Sequence, residues 1–134
     1  MKLKRVTIKK NERGLLLRNG DFDRVLPPGR HWLLDGLDNL RVETFALDQP
    51  AFTHPLADYL MAKEPEVVAR EFVRVELGET QAGLRFEDGV LVELLPPATR
   101  RLYWQGLREV RVDVVDVAAQ PELPAGLAQR LTQT

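Results

Sequence analysis

The sequence contains neither cysteine nor serine. Without cysteine there is no disulfide framework, no thiolate metal site and no thiol nucleophile. Without serine the usual hydrolase triad has no nucleophile, and the threonines stand in strand-like, capping or tail contexts with no catalytic motif around them. Long apolar runs are also missing: nothing approaches the ~18 residues that a spanning helix needs. The opening "MKLKRVTIKKNERG" is basic but has no apolar stretch behind it, so no secretory signal is expected there. Charge of one sign is lacking too, since 19 Lys and Arg stand against 20 Asp and Glu, for a net charge of -1. A nucleic-acid partner is therefore not expected, because such binding leaves a basic footprint. Glycines occur singly, at turns, with neither GxGxxG nor GxxxxGK[ST], so no phosphate cradle and no cofactor are expected.

What the 134 residues do contain is one pattern written twice. Sliding the chain on itself by 69 positions (97 minus 28) sets Gly14 on Gly83, Gly20 on Gly89, Leu26 on Leu95 and Pro27-Pro28 on Pro96-Pro97. Leu33 meets Leu102, after which one inserted residue makes the shift 70 (106 minus 36) and sets Gly36 on Gly106 and Arg41 on Arg111. Coincident glycines and prolines mean coincident turns. "RVLPPGRHW" and "ELLPPATRR" share the bend that proline imposes where one strand ends and the next begins.

Each unit reads as strands. Asn19-Gly20 and Asp88-Gly89 lie between strand-like runs, the residue types that a two-residue hairpin with positive φ demands. Such a turn places Leu17 opposite Phe22 and Phe86 opposite Leu91, one apolar face, with Arg18 facing Asp21 and Arg85 pointing away from the core. Alternation in "LRVETFALD" and "EVRVDVVDV" adds further strands with Arg41, Glu43, Arg111 and Asp113 outward, while Val6, Ile8, Val73 and Val75 supply the opening strands. Between the units, Thr53 is a candidate cap for a helix with Leu56, Tyr59 and Leu60 on its apolar stripe. Glu64-Pro65 breaks this helix, and Val67, Val68 and Phe72 resume it beyond.

The expected fold is α+β and predominantly β: two tandem β-rich repeats joined by a short two-piece helical linker, with a C-terminal short helix. Its segments are a first repeat at 1–52, the linker at 53–72, a second repeat at 73–121, and a tail at 122–134. In that tail Pro124 lies 69 positions after Pro55, and Leu123, Leu127 and Leu131 are spaced by four.

Candidate chemistry is sparse. His31 and His54 are the two imidazoles, separated without ligand spacing, so no metal site is expected. The carboxylate pairs Asp21 and Asp23, Glu64 and Glu66, and Glu109 and Asp113 read as solvated strand and turn faces, and no catalytic residue is assigned. Trp32, Tyr103 and Trp104 fall in matching regions, Tyr103 aligning with Leu34. They read as aromatic caps on a strand-rich core or, as the alternative, a stacking platform for bases or sugars. Val90 and Val92 stand where the first hairpin carries Asp21 and Asp23, an apolar strip suited to association. The expected function is thus a non-enzymatic protein-interaction or self-association module, with Val90, Val92, Trp32, Tyr103 and Trp104 as its surface. The alternative is a small-ligand-binding or enzymatic domain with a cleft between the repeats near His31, Trp32, Tyr103 and Trp104.

The stretch "NERGLLLRNGDFDRVLPPGRHWL" resembles the opening of slipins, the stomatin-like members of the SPFH or band-seven superfamily that also holds prohibitins and flotillins. The family's acidic-Arg-Gly step, Gly-turned hairpin and Pro-Gly-x-His corner are matched by Glu12-Arg13-Gly14, Asn19-Gly20 and Pro28-Gly29-Arg30-His31. The likeness spans residues 5 to 48. It weakens in the second copy, where Gln81-Ala82 replace Glu12-Arg13, and Ala98 and Arg100 replace Gly29 and His31. The chain as a whole is similar to the N-terminal region of bacterial slipins in which such units recur. The resemblance implies a non-catalytic scaffold module in the cytoplasm, peripheral to the cytoplasmic membrane through the full-length protein. It further implies homo-oligomers of that protein and a membrane protease as partner. The anchoring apolar hairpin and long Ala/Glu-rich helices of the family are absent from these residues, so neither membrane insertion nor ring formation is assigned to them.

Overall fold

Asn19 and Asp88 adopt left-handed φ values of 54° and 50°, followed by Gly20 at 82° and Gly89 at 83°, and each pair turns a hairpin. In a computed structural model that describes residues 2–117, strands dominate and two short helices interrupt them. The order is β1 (Lys2–Ile8), β2 (Glu12–Arg18), β3 (Asp21–Leu26), β4 (Gly29–Asp35), β5 (Leu40–Ala46) and β6 (Ala51–Phe52). Then come α1 (Ala57–Lys63), α2 (Pro65–Glu71), β7 (Phe72–Glu76), β8 (Gln81–Glu87), β9 (Val90–Leu95), β10 (Arg100–Trp104) and β11 (Val110–Asp116). The chain divides into two compact units after Pro50. The expected linker at 53–72 therefore packs as part of the second unit. The expected C-terminal helix at 122–134 lies outside the described residues.

In the first unit β2 is flanked by β3 and β5, and β1 pairs with β4 as a two-stranded ribbon. Ile8, Leu16, Leu26, Leu33 and Leu40 form the core between ribbon and sheet, with Val6 and Val42 packed against it. In the second unit β8 is flanked by β9 and β11, and β7 pairs with β10. Its core is Val75, Leu77, Leu95, Tyr103 and Val110, joined by Val73 and Val112. Leu17 opposes Phe22 and Phe86 opposes Leu91, and the register slips between Leu16 and Leu17 and between Arg85 and Phe86. The slip leaves Asp23 and Val92 as the unpaired bulge residues.

Leu17 is buried as expected, though on the face opposite Leu16, whereas Arg85, expected outward, stands on the core side. Core position 16 is leucine, and its counterpart Arg85 stands beside Val112 on the core side, with its guanidinium 4.8 Å from the Tyr103 ring. Arg111 instead covers Phe86 from the other side at 4.5 Å. Gly14 and Gly83 sit where a Cβ would press on core atoms: 2.8 Å from Ile8 Cδ1 and 3.2 Å from Leu26 Cβ in one, 3.0 Å from Val112 Cγ1 in the other. Close packing, not turn geometry, requires glycine at both.

The turns are braced alike. The Lys9 N–H donates to Glu12 Oε1 at 3.1 Å, and the Gly78 N–H donates to Gln81 Oε1 at 2.9 Å, so Glu and Gln serve as the same acceptor. At the Pro-Pro corners the first proline carbonyl accepts from a side chain just downstream: Pro27 O from His31 Nε2 of β4 at 2.7 Å, Pro96 O from Thr99 Oγ1 ahead of β10 at 2.6 Å. Arg30 pairs with Thr7 and Arg100 with Glu76, so the inserted residue lies in the corner itself, upstream of the place that sequence matching gave it.

The helices break at Pro65, which occupies the first turn of α2 where no donor is needed. Thr53 does not cap α1. The helix starts from Leu56 without a side-chain cap, and just ahead of it His54 Nδ1 accepts the Leu56 N–H at 3.1 Å. Leu60 and Met61 are the buried residues of α1, and Tyr59 faces outward. Among the described residues no helix is long and apolar enough to cross a membrane.

Candidate interaction surface

A two-stranded ribbon has two faces, and alternation assigns every residue to one of them. In β1–β4 the pairs Val6↔His31 and Lys4↔Leu33 alternate with Arg5↔Trp32 and Leu3↔Leu34. Val6, Ile8 and Leu33 face the core. Leu3, Trp32 and Leu34 therefore share the outer face, where they are 63%, 59% and 58% exposed, and Leu37 follows in the next turn at 83%. The Arg5 guanidinium lies 6.0 Å from the Trp32 ring centroid and is the polar member of the patch. β4 pairs only with β1, which leaves its other edge open among the described residues.

The second unit has the same ribbon in β7–β10, with Phe72↔Trp104 and Leu102↔Arg74 as the counterparts of Leu3↔Leu34 and Trp32↔Arg5. There the outer face is covered. Phe72, Leu102 and Trp104 are 2%, 0% and 1% exposed. β6 adds to the edge of β10, pairing Phe52 with Leu102, and the Phe52 ring lies 5.0 Å from Phe72 and 5.5 Å from Trp104. The helices close the layer, with Arg74 Nη1 donating to the Met61 carbonyl at 3.3 Å.

This arrangement corrects two of the expected surface residues. Trp104 is filled in by Phe52 and Phe72, and Tyr103 belongs to the core cluster, so neither presents a surface to a partner or a wall to a cleft. By strand register Tyr103 is the counterpart of Leu33, not of Leu34. Trp32 keeps its expected place. Leu3, Leu34 and Leu37 were missed as surface residues. The alternation of "KLKRVTI" and "HWLLD" groups the first two with Trp32 once their strands are known to pair.

Val90 and Val92 are exposed as expected, at 63% and 42%, on the edge strand β9. Val92 is a bulge residue, which blunts an edge against further pairing. Behind the strip lies an ionic cluster. Glu93 accepts from Arg85 Nε at 2.9 Å, from Arg101 Nη1 at 3.0 Å and from Tyr103 Oη at 3.4 Å, and Arg85 also pairs with Glu87. Burial raises the Glu93 carboxyl, but the hydrogen bonds from Arg85 and Arg101 outweigh it and hold the group below the usual carboxylate range. Burial pushes the Tyr103 phenol up. Positive and negative groups balance here, so the cluster holds the second core together and offers no excess charge to a ligand.

The histidines are similarly committed: His31 braces the corner, and His54 accepts the Leu56 N–H ahead of α1 and stacks on Phe52 at 5.4 Å. Among the described residues no group of His, Asp and Glu is placed to hold a metal ion. An open depression of about 470 Å³ lies at the hairpin end of the first unit, lined by Leu17, Asn19, Asp38, Asn39, Arg41 and Glu43. Its lining is turn backbone and surface charge, without the apolar walls that small-molecule sites use. No family model matches the chain, and neither a curated protein nor a solved structure matches it.

Proposed function

We propose that the chain is a non-catalytic assembly module that docks through the outer face of the β1–β4 ribbon. One observation carries this reading: Leu3, Trp32 and Leu34 are exposed where their counterparts Phe72, Leu102 and Trp104 are buried under a strand and two helices. The physical chemistry of the fold asks for a cover on such a face. Burying each of these side chains contributes roughly 1.5–3 kcal/mol. That total is of the same order as the loss of translational and rotational freedom on association. Burial of these three side chains alone therefore gives little net affinity, and association requires edge pairing on β4 and burial of Leu37 to add to it.

On the same reading the two units are tandem repeats of one β-rich design. The stretch from β6 through α2 serves as linker and as cover of the second repeat. The slipin-like residues of the first unit assign such a module to a scaffold at the cytoplasmic membrane, working beside a membrane protease, with attachment supplied by parts of the protein outside this chain. That assignment rests on Glu12-Arg13-Gly14, Asn19-Gly20 and Pro28-Gly29-Arg30-His31. Sedimentation velocity from about 1 to 300 µM tests the docking face. The wild-type chain should associate with rising concentration, and a Trp32→Ser/Leu34→Ser variant should stay monomeric. Equal association of the two would place assembly elsewhere.

A further inference from the structure

The two ribbons carry arginine at the same two places. By strand register Arg5 is the counterpart of Arg74 and Arg30 of Arg100, each on the outer face beside the apolar side chains. In the second unit both charges are met, largely by the cover. Arg100 Nη2 lies 3.3 Å from Asp58 Oδ1 of α1. Arg74 donates to the Met61 carbonyl in the last turn of the same helix, and to Glu76 Oε1 at 2.8 Å. In the first unit Thr7 stands where the second has Glu76. Its outer face reads Leu3, Arg5, Thr7, Arg30, Trp32 and Leu34, all exposed and none acidic. Among the described residues neither Arg5 nor Arg30 forms an ion pair, and Arg5 has only the Trp32 ring beside it.

We infer that the bare ribbon face is the seat of an acidic strand-and-helix segment of another protein, which sets an apolar residue opposite Trp32 on the free edge of β4 and brings a carboxylate to Arg30. This inference rests on the docking-face reading above and adds the chemistry of the occupant. The second unit supplies the layout: Phe52 opposes Leu102 in an antiparallel strand, and Asp58 follows six residues later (58 minus 52) to meet Arg100. An added strand contributes main-chain hydrogen bonds, and its side chains decide which segment fits. Ion pairs as exposed as these add little affinity, but they select among partners and steer the encounter. Two copies meeting ribbon to ribbon would set arginines against arginines and bring no carboxylate. The chain's own segment of this kind, β6 with α1, is already seated on the second ribbon, so a second copy could offer it only by uncovering itself. Self-association is thus the weaker use of the face.

The covering segment itself serves as the probe. A synthetic peptide of residues 48–64 holds Phe52, Asp58 and Met61 and no tryptophan. In the full chain Trp32 is exposed and Trp104 is buried, so acrylamide quenching reports on Trp32. Added to full-length protein kept dilute enough to be monomeric, the peptide should lower that quenching several-fold and saturably, and added to concentrated protein it should displace self-association. A peptide carrying Asp58→Lys should bind roughly fivefold more weakly, the scale of an exposed ion pair lost. The Arg30→Glu protein should reverse this preference and take the Asp58→Lys peptide better than the natural one. Arg30 lies outside the first core cluster, so the exchange tests charge and not folding. Equal binding of the two peptides by wild type, or no shielding up to millimolar peptide, would overturn the acidic partner; the docking face would still stand if Trp32→Ser/Leu34→Ser abolished self-association. Shielding of Trp32 by vesicles of phosphatidylserine and phosphatidylcholine, and not by peptide, would reassign the face to a lipid surface. Wild type that neither self-associates nor binds peptide would remove both readings.

Discussion

Lys4 Nζ lies 2.8 Å from Asp35 Oδ2, and Asp35 is the one buried charged residue among those described, its other contacts being the N–H groups of Asn39 at 2.9 Å and Leu40 at 3.3 Å. The carboxylate ties the end of β4 to the turn that launches β5. The hydrogen bond from Lys4, opposed by burial and helped by the two backbone donors, lowers its pKa from 3.8 to about 2.

A group whose folded pKa lies below its unfolded value stabilises the fold above the unfolded pKa and loses that contribution as pH falls through the folded one. Stability should therefore decline between about pH 4 and pH 2, the window set by 3.8 and about 2. Lys4→Met removes the largest favourable cause and should move the acid transition to higher pH. Acid titration followed by circular dichroism at fixed temperature checks this, and an unmoved transition would assign the acid sensitivity to other carboxylates.

Ala98 holds a φ of 62° in the second Pro-Pro corner, where the first corner has Gly29 at 129°. A left-handed conformation costs an L-residue roughly 1–2 kcal/mol, and glycine escapes most of it while adding unfolded-state entropy. Ala98→Gly should stabilise the chain by about 0.5–1 kcal/mol, read as a rise in Tm, whereas Gly29→Ala should destabilise it.

Arg85 occupies the core position that leucine fills in the first unit, and its side chain is only 13% exposed between Glu87, Glu93 and the Tyr103 ring. Removing one partner of a largely buried ionic cluster leaves the others uncompensated. Arg85→Ala should cost about 2 kcal/mol, more than Arg111→Ala on the exposed side, where ion pairs contribute little. Urea denaturation of the two variants measures the difference, and equal costs would mean that the cluster is as solvated as the surface.

Val90 and Val92 are exposed, yet they stand on a bulged edge in front of a satisfied ionic cluster. Val90→Asp/Val92→Asp restores the residues that the first hairpin carries, Asp21 and Asp23. Association should be unchanged within twofold and stability within ~0.5 kcal/mol, as for ordinary surface changes. A large loss of association would move the docking surface from the ribbon to this strip.

Turn chemistry made much of the local structure legible. Asn-Gly and Asp-Gly demand positive φ, so the hairpins at residues 19–20 and 88–89 and the pairings Leu17↔Phe22, Phe86↔Leu91 and Arg18↔Asp21 follow from the sequence. Pro65 dictated the break between α1 and α2 for an equally local reason, its missing donor and fixed φ.

Which face of each strand is covered was not legible, because a period of two defines two faces and leaves open which one meets another layer. The core took Leu16 and Arg85, while the Phe86–Leu91 pair went to the opposite face. Arg85 broke the expected alternation because its charge is met by Glu87 and Glu93 and its plane lies over Tyr103, contacts that exist only once separate strands are assembled. The same holds for the site. Residue types alone make Trp32 and Trp104 equivalent candidates, and their difference comes from β6, α1 and α2, which cover one ribbon and not the other. The sequence by itself determined the turns, the hairpin registers and the doubling of the pattern, all consequences of backbone stereochemistry within a few residues. Tertiary structure alone decided burial, and therefore which aromatic side chain is core and which is left for a partner.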